Sequence, residues 1–538
     1  MVTWSHSVSI PIKTEFEVGA ASNEEATGSK NLPRLKDRIT EELVIGLVGP
    51  VGSGCTTTGA QIATILERDY GYKVYRHKLS DLIVSHAHLT GEKFDDNHRG
   101  ADRISQLQRI GDNLRRLCGH GYLAAKAIER IAQLRMEFGF GKSLDGLDVP
   151  LSVRTVHIID SLKNPNELRL LRDTYGGMFW LFGVFAPESV RKDRLEHHQR
   201  LDPESLQAII KRDYSEAEKH GQSVRDVFHQ ADFFVRNDQS NEGMLTLVLN
   251  RYLEILFGYP VHTPNSDESA MAAAHAEASK SACLSRQVGA AIASPLGEII
   301  GLGRNDVPRF SGGLYDEDDR EHDHRCFKWM GHCCHNDDKK NLLYQQIAKK
   351  LIDKGLVANA ALTNSVIEAL KETDVRSLIE YSRAVHAEMD AIISVARANK
   401  AGLNGGTLYA TTFPCHSCAR HIVASGITKV LYIEPYPKSL ALDLHRDAVS
   451  DDEAYKSSKV VFLQYSGVAP RNMLTFFSAR LTRKTSDGKL IEFDKRTAKP
   501  LVAVSLDDFP THEKFVVAEY AEHEKNATSG TQAALFES

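Results

Sequence analysis

A near-continuous apolar run, Leu43–Val48, leads directly into Gly49-Pro50-Val51-Gly52-Ser53-Gly54-Cys55-Thr56. The next segment, TTTGAQIATILERDYG, carries apolar residues at helical spacing. Strand, glycine-rich turn and helix in this order bring the carboxyl end of the strand against the amino end of the helix. Further strands are predicted at Lys73–Tyr75, Thr155–Ile159, Met178–Phe185 and 231–238, with helical segments over 101–138. Strands alternating with helices over roughly 220 residues predict a parallel α/β sheet.

The 538 residues are enough for two large domains or about three of ordinary size. Hydrophobic residues make up 42% and charged residues 25%. That excludes a wholly disordered chain, a collagen-like fibre and a disulfide-stapled miniprotein. With 66 basic against 71 acidic side chains the net charge is −5, which argues against nucleic-acid binding as the main role. No membrane-length apolar run and no secretory leader pattern is visible, so the expected location is cytoplasmic. The composition divides the chain into a flexible leader (1–38), a first domain (39–260), a second domain (265–520) and a flexible tail (521–538). The boundary falls in the Pro-, Asn- and Ser-containing stretch 259–267.

The glycine loop fits the pattern of phosphate-cradling loops, in which backbone N–H groups do the binding. Gly49, Gly52, Ser53 and Gly54 are its cradle, Thr56 is a candidate Mg²⁺ ligand, and Asp160, ending a strand, is a candidate partner of that ion. Cys55 stands where such loops carry lysine. Without that ammonium phosphoryl transfer is expected to be weak or absent. A nucleoside triphosphate with Mg²⁺ is expected to bind and to regulate.

A second constellation lies in the second domain: His386-Ala387-Glu388, then Pro414-Cys415-His416-Ser417-Cys418. One imidazole and two thiolates make three zinc ligands and leave a fourth position open. Zinc so held lowers the pKa of water from 15.7 to about 7. Glu388, two residues from His386, can reach the open position and move protons without being a ligand. This His-x-Glu…Pro-Cys-x-x-Cys pattern is the signature of hydrolytic nucleobase deamination. Cys415 opens a helix, whose positive end favours thiolate. No run of basic residues interleaved with aromatics flanks the motif, which favours a free nucleotide over a polynucleotide.

The segment SACLSRQVGAAIASPLGEIIGLGRNDVP at 281–308 resembles the opening of deoxycytidylate deaminases. The resemblance covers roughly 270–470. It implies an α/β/α sandwich, a sugar contact from Asn305, a phosphate contact from Arg286 and assembly into homo-oligomers, with a hexamer as one form. A His- and Cys-rich insertion follows at 311–340, with His322, His324, Cys326, His332, Cys333, Cys334 and His335. Some phage members of that family hold a second, structural zinc nearby through a cysteine equivalent to Cys283. Here the candidates are Cys283, Cys326, Cys333, Cys334 and His335. IIDSLKNPNE and FWLFGVFAPESVRKDRL resemble nucleotide-kinase folds, with Arg191 and Arg194 matching lid arginines.

The whole layout resembles the bacterial anti-phage deoxycytidine nucleotide deaminases. That resemblance implies conversion of dCTP and dCMP to dUTP and dUMP with release of ammonia, depletion of the pool needed for phage replication, and restraint by a small RNA in some members. The alternatives are a housekeeping dCMP deaminase and a nucleotide kinase with a sensor deaminase domain.

Overall fold

A computed structural model of the chain describes residues 38–142, 148–199, 208–209, 223–238, 242–436, 438–479 and 482–529. The first domain contains β1 (Leu43–Val48), β2 (Lys73–Lys78), β5 (Thr155–Asp160), β6 (Phe179–Phe185) and β7 (Phe233–Arg236), with a short antiparallel pair, β3 (Phe140–Lys142) and β4 (Asp148–Pro150), to one side. β1, β5 and β6 are buried at every residue, as strands covered by helices on both faces must be. The strands pair in parallel in the order β7-β6-β1-β5-β2. The predicted parallel α/β sheet is what forms.

The second sheet contains β8 (Gly289–Ala293), β9 (Ile299–Arg304), β10 (Thr407–Thr412), β11 (Lys429–Glu434), β12 (Val449–Ser450) and β13 (Val460–Gln464), in the order β12-β13-β11-β10-β8-β9. β8 pairs antiparallel with β9 and β10, and the remaining pairs are parallel. Helix Ser266–Ala278 lies on one face. Helices Ala387–Arg397 and His416–Ala424 lie on the other. This is an α/β/α sandwich. Two glycines set how closely the layers approach. A Cβ at Gly289 would stand 1.9 Å from the Ala274 carbonyl oxygen, and one at Gly303 would stand 2.3 Å from that of Ala387. The second close approach seats the start of helix Ala387–Arg397 directly on β9.

The domain limits differ from the sequence expectation. β14 (Gly467–Val468) pairs antiparallel with β7 and completes the edge of the first sheet. Residues further on stay with the first domain: Leu501 donates to the Leu256 carbonyl, and Leu506 to that of Arg38. Helix Phe509–Thr528 packs on helices Gly100–Cys118 and Tyr122–Met136. Its Glu513 pairs with the buried Arg135, which also pairs with Glu42 of the first domain. Residues 521–528, expected to be a flexible tail, are helix. Composition marks where a chain leaves a domain, but carries no sign that it returns. The leader up to 37 and the tail from 530 lie outside the described residues. Among the described residues no helix is long and apolar enough to cross a membrane.

Candidate functional site

Both strand–helix junctions singled out in the sequence line cavities at the carboxyl ends of parallel strands. In the second domain, His386 is the N-cap of helix Ala387–Arg397, and Cys415 is the N-cap of helix His416–Ala424. His386 Nδ1 lies 3.4 Å from Cys415 Sγ and 3.3 Å from Cys418 Sγ. Cys415 Sγ also accepts the Cys418 N–H at 3.4 Å. The three side chains put one ligand atom each within 4.8 Å of the others, and among the described residues no other group of three does so. An imidazole and two sulfurs are the donors zinc selects. The hydrogen bond from the Cys418 thiol pulls Cys415 down to about 4, and the same bond holds Cys418 well above its ordinary value. A divalent cation held here would take both as thiolates.

Glu388 is 5% exposed. Burial raises its pKa above the ordinary carboxylate value. A cavity of about 310 Å³ opens beside it. Arg286 lines that cavity, but its guanidinium pairs with Glu434. Asn305 also lines it, and its amide is engaged with the backbone. Asn305 Oδ1 accepts the Val288 N–H at 2.6 Å and Nδ2 donates to the Arg286 carbonyl at 2.8 Å. Its clearest role in the structure is to fix the loop carrying Arg286.

Sequence reasoning missed the cations at this cavity. Lys340, Arg376 and Lys438 line it with Arg286. Lys438 loses some of its hold on its proton to burial and to the neighbouring charges of Arg376, Lys340, Arg225 and Arg286. They come from separate parts of the chain, so no spacing announces them. Cys283, Cys326, Cys334 and His335 line the same cavity. His335 Nδ1 faces the Cys333 carbonyl at 3.0 Å, while its buried Nε2 has no hydrogen-bond partner among the described residues. Cys333 contributes this carbonyl and does not line the cavity.

In the first domain, Gly52 and Gly54 have φ of +81° and +87°, a backbone open to glycine at little cost. At Gly49 a Cβ would come 2.3 Å from the Val184 carbonyl oxygen. Thr56 Oγ1 donates to Asp160 Oδ2 at 2.8 Å, so the two candidate Mg²⁺ partners are adjacent. The Ser53 hydroxyl lies 3.5 Å from Cys55 Sγ. Burial pushes the Cys55 thiol up to about 11, so it carries no charge near neutrality. A lysine is nevertheless present. Lys163, three residues beyond Asp160, donates to the Gly49 carbonyl at 3.0 Å. Arg191 and Arg194 donate to the carbonyls of Val51 and Gly52. The signal for Lys163 was its position just past the strand ending in Asp160.

Residues 264–434 match the family described as cytidine and deoxycytidylate deaminase zinc-binding region. The chain is 30% identical over 162 residues to the deoxycytidylate deaminase of Enterobacteria phage T4, covering 30% of this chain and 73% of that protein. It is 32% identical over 140 residues to a UPF0200 protein of Halobacterium salinarum, covering 24% of this chain and 70% of that one. The solved dCMP deaminase of cyanophage S-TIM5 in complex with dCMP and dUMP aligns at 19% identity with a TM-score of 0.22, covering 38% of this chain and 99% of that one.

Proposed function

Because the chain belongs to the deoxycytidylate deaminase family, we propose that it hydrolyses the exocyclic amine of free deoxycytidine nucleotides, dCMP and dCTP, giving dUMP or dUTP and ammonia. The observation that carries this reading is the convergence of His386, Cys415 and Cys418 beside the buried Glu388, under one cavity ringed by cations. Zinc at the three ligands would supply the Lewis acidity that makes water nucleophilic at neutral pH. Glu388 would take one proton of that water and pass it to the ring nitrogen of cytosine, and would then carry the remaining proton of the added hydroxyl to the amine, which leaves as ammonia when the C–N bond breaks. Its burial keeps bulk water from competing for the proton. Arg286, Lys340, Arg376 and Lys438 would face the phosphates, and their number favours a charged nucleotide over a nucleoside.

Further assignments belong to the same reading. Cys283, Cys326, Cys334 and His335, the candidates for a second zinc, line one cavity, but no three of them bring their ligand atoms within 4.8 Å of one another among the described residues, so the reading keeps a single zinc. The loop 49–56 would bind a nucleoside triphosphate with Mg²⁺ and regulate the deaminase. The chain would act as a homo-oligomer in the cytoplasm, depleting deoxycytidine nucleotides during phage infection, with a small RNA as its restraint.

The test is ammonia release with product identification on dCMP, dCTP, CMP, CTP, deoxycytidine and single-stranded DNA, with Glu388→Ala as control. Turnover of dCMP or dCTP that vanishes in the variant is expected. Activity on DNA alone would overturn the substrate reading and leave the zinc chemistry standing. Metal analysis should find one zinc ion per chain, lost in Cys415→Ser. A second ion that survives in that variant would show a further metal site. Cells expressing the chain should resist phage with a falling dCTP pool, and resistance equal to that of Glu388→Ala cells would refute the defensive role.

A further inference from the structure

The cleft over the glycine loop is larger than a row of phosphates requires. It encloses about 600 Å³, within the roughly 300–1,000 Å³ typical of small-molecule sites. One end is the loop with Asp160 and Lys163. The other is a slot between helices Leu79–His86, Gly100–Cys118 and Tyr122–Met136, walled by Leu79, Ile83, Ile104, Leu107 and Leu123.

Two polar side chains of helix Gly100–Cys118 also line this slot, and they differ sharply. Arg115 is 2% exposed and held by two carboxylates, with Nε donating to Glu167 at 2.8 Å and Nη1 to Asp112 at 3.1 Å. Gln108 is 5% exposed, and neither its amide nitrogen nor its carbonyl oxygen has a hydrogen-bond partner among the described residues. A buried donor and acceptor left unmade together are costly and uncommon. They stand side by side on one planar amide, on a residue that lines the cavity.

The matching group presents an acceptor beside a donor on a rigid edge, between apolar faces. A nucleobase does this, and glutamine reads base edges by such a bidentate pair. A sugar or polyol would leave its hydroxyls unpaired against Leu and Ile. We infer that this cleft is a base-reading nucleotide site, with the phosphates on loop 49–56, the base in the slot, and Gln108 as its specificity-determining residue. The inference rests on the phosphate-binding reading of the loop and adds a preference among bases. It gives the first domain a sensor of one nucleotide, physically separate from the deaminase cavity.

The experiment is calorimetric titration of the full chain carrying Glu388→Ala, in Mg²⁺, with ATP, GTP, dTTP, dCTP and inorganic tripolyphosphate. The same titrations are made after adding Gln108→Leu or Gln108→Met. Binding at the deaminase cavity is common to these chains and cancels in the comparison. One base should bind at least tenfold more tightly than tripolyphosphate. Each Gln108 variant should lose roughly 10- to 100-fold for that nucleotide and keep its affinity for tripolyphosphate. The unliganded variants should melt no lower than the parent, since the unmade pair is gone. Nucleotides that bind without base preference and ignore both substitutions would overturn base reading and leave the phosphate loop intact. Tripolyphosphate that binds where no nucleotide does would also overturn it. Failure of every compound to bind would remove both readings.

Discussion

The two cavities occupy the same place on their sheets and have kept different things. Each opens beyond the carboxyl ends of parallel strands, β1 and β5 in one case, β10 and β11 in the other, where α/β sheets present ligand sites. In the second domain the chemistry-bearing side chains are complete: His386, Cys415, Cys418 and a buried Glu388. In the first, the glycine loop lies between strand and helix, the position that normally carries a lysine holds a neutral thiol, and the Lys163 ammonium donates to the Gly49 carbonyl. Backbone geometry can hold a phosphate, while transfer of a phosphoryl group needs charge in the right place. On the proposed reading, the difference separates a reacting site from a binding site.

The largest expected effect breaks the comparison on its reactive side. Glu388→Ala should lower the rate of ammonia release by 10²- to 10⁴-fold, with zinc content and nucleotide binding at the first domain unchanged. A rate within a few-fold of the parent would mean that another group carries the proton, and the contrast between the two sites would lose its basis.

The binding side depends on a platform assembled from both ends of the chain. Arg135, 3% exposed, lies between Glu42 and Glu513, and His157 Nε2 approaches Glu42 at 3.1 Å. Burial alone would raise Glu42, but Arg135 and His157 draw it down to about 2. Arg135→Met should destabilise the first domain by about 3–5 kcal/mol, because it leaves buried carboxylates without their cation. Urea unfolding monitored in the first domain would measure it. A loss below 1 kcal/mol would show that helix Phe509–Thr528 contributes little to the platform. The sign with pH follows from Glu42. Its depressed value adds stability above its ordinary pKa of 4.5, and that stability is lost as pH falls towards about 2.

What was legible in the sequence follows the same division. β1, its glycine loop and the helix after it were readable because local apolar pattern and glycine content decide them. So was the zinc triad, whose residue types and spacing are dictated by coordination chemistry. The return of 467–528 to the first domain was not readable, since a two-residue edge strand and an isolated helix carry no address. Nor were Lys340, Arg376 and Lys438, each of which reads as an ordinary surface residue until the fold gathers them with Arg286. Arg286 shows the converse. It was found by resemblance at the cavity, and its ion pair with Glu434 became visible only in three dimensions.

The displaced lysine gives the next effect in size. Lys163→Met should weaken nucleotide triphosphate binding at the first domain by roughly tenfold or more, the scale of a hydrogen bond to a charged group, without altering dCMP turnover in the absence of added triphosphate. Cys55→Lys would place a second ammonium near Lys163 and should add little by itself. In the Lys163→Met background the same substitution should recover binding, because one cation at the loop is what the phosphates need. Unchanged affinity in Lys163→Met would mean that Arg191 and Arg194 suffice, and that the loop keeps its function without a lysine in either place.

The smallest effect sharpens the comparison from the reactive side. If the cations around the deaminase cavity serve the phosphates, Lys340→Ala and Arg376→Ala should each raise the KM for dCTP more than that for dCMP, while kcat changes little. Partly exposed charges contribute about 0.2–1 kcal/mol apiece, so each substitution should shift KM by at most about fivefold. Added salt should reduce the same discrimination, since exposed charges are screened over about 10 Å at 0.1 M. Equal shifts for the two substrates would mean that the ring meets only the first phosphate. Shifts confined to kcat would mean that Lys340 and Arg376 act on the position of the base, and the division between binding charge and reacting groups would then fail inside the very site where it looks most complete.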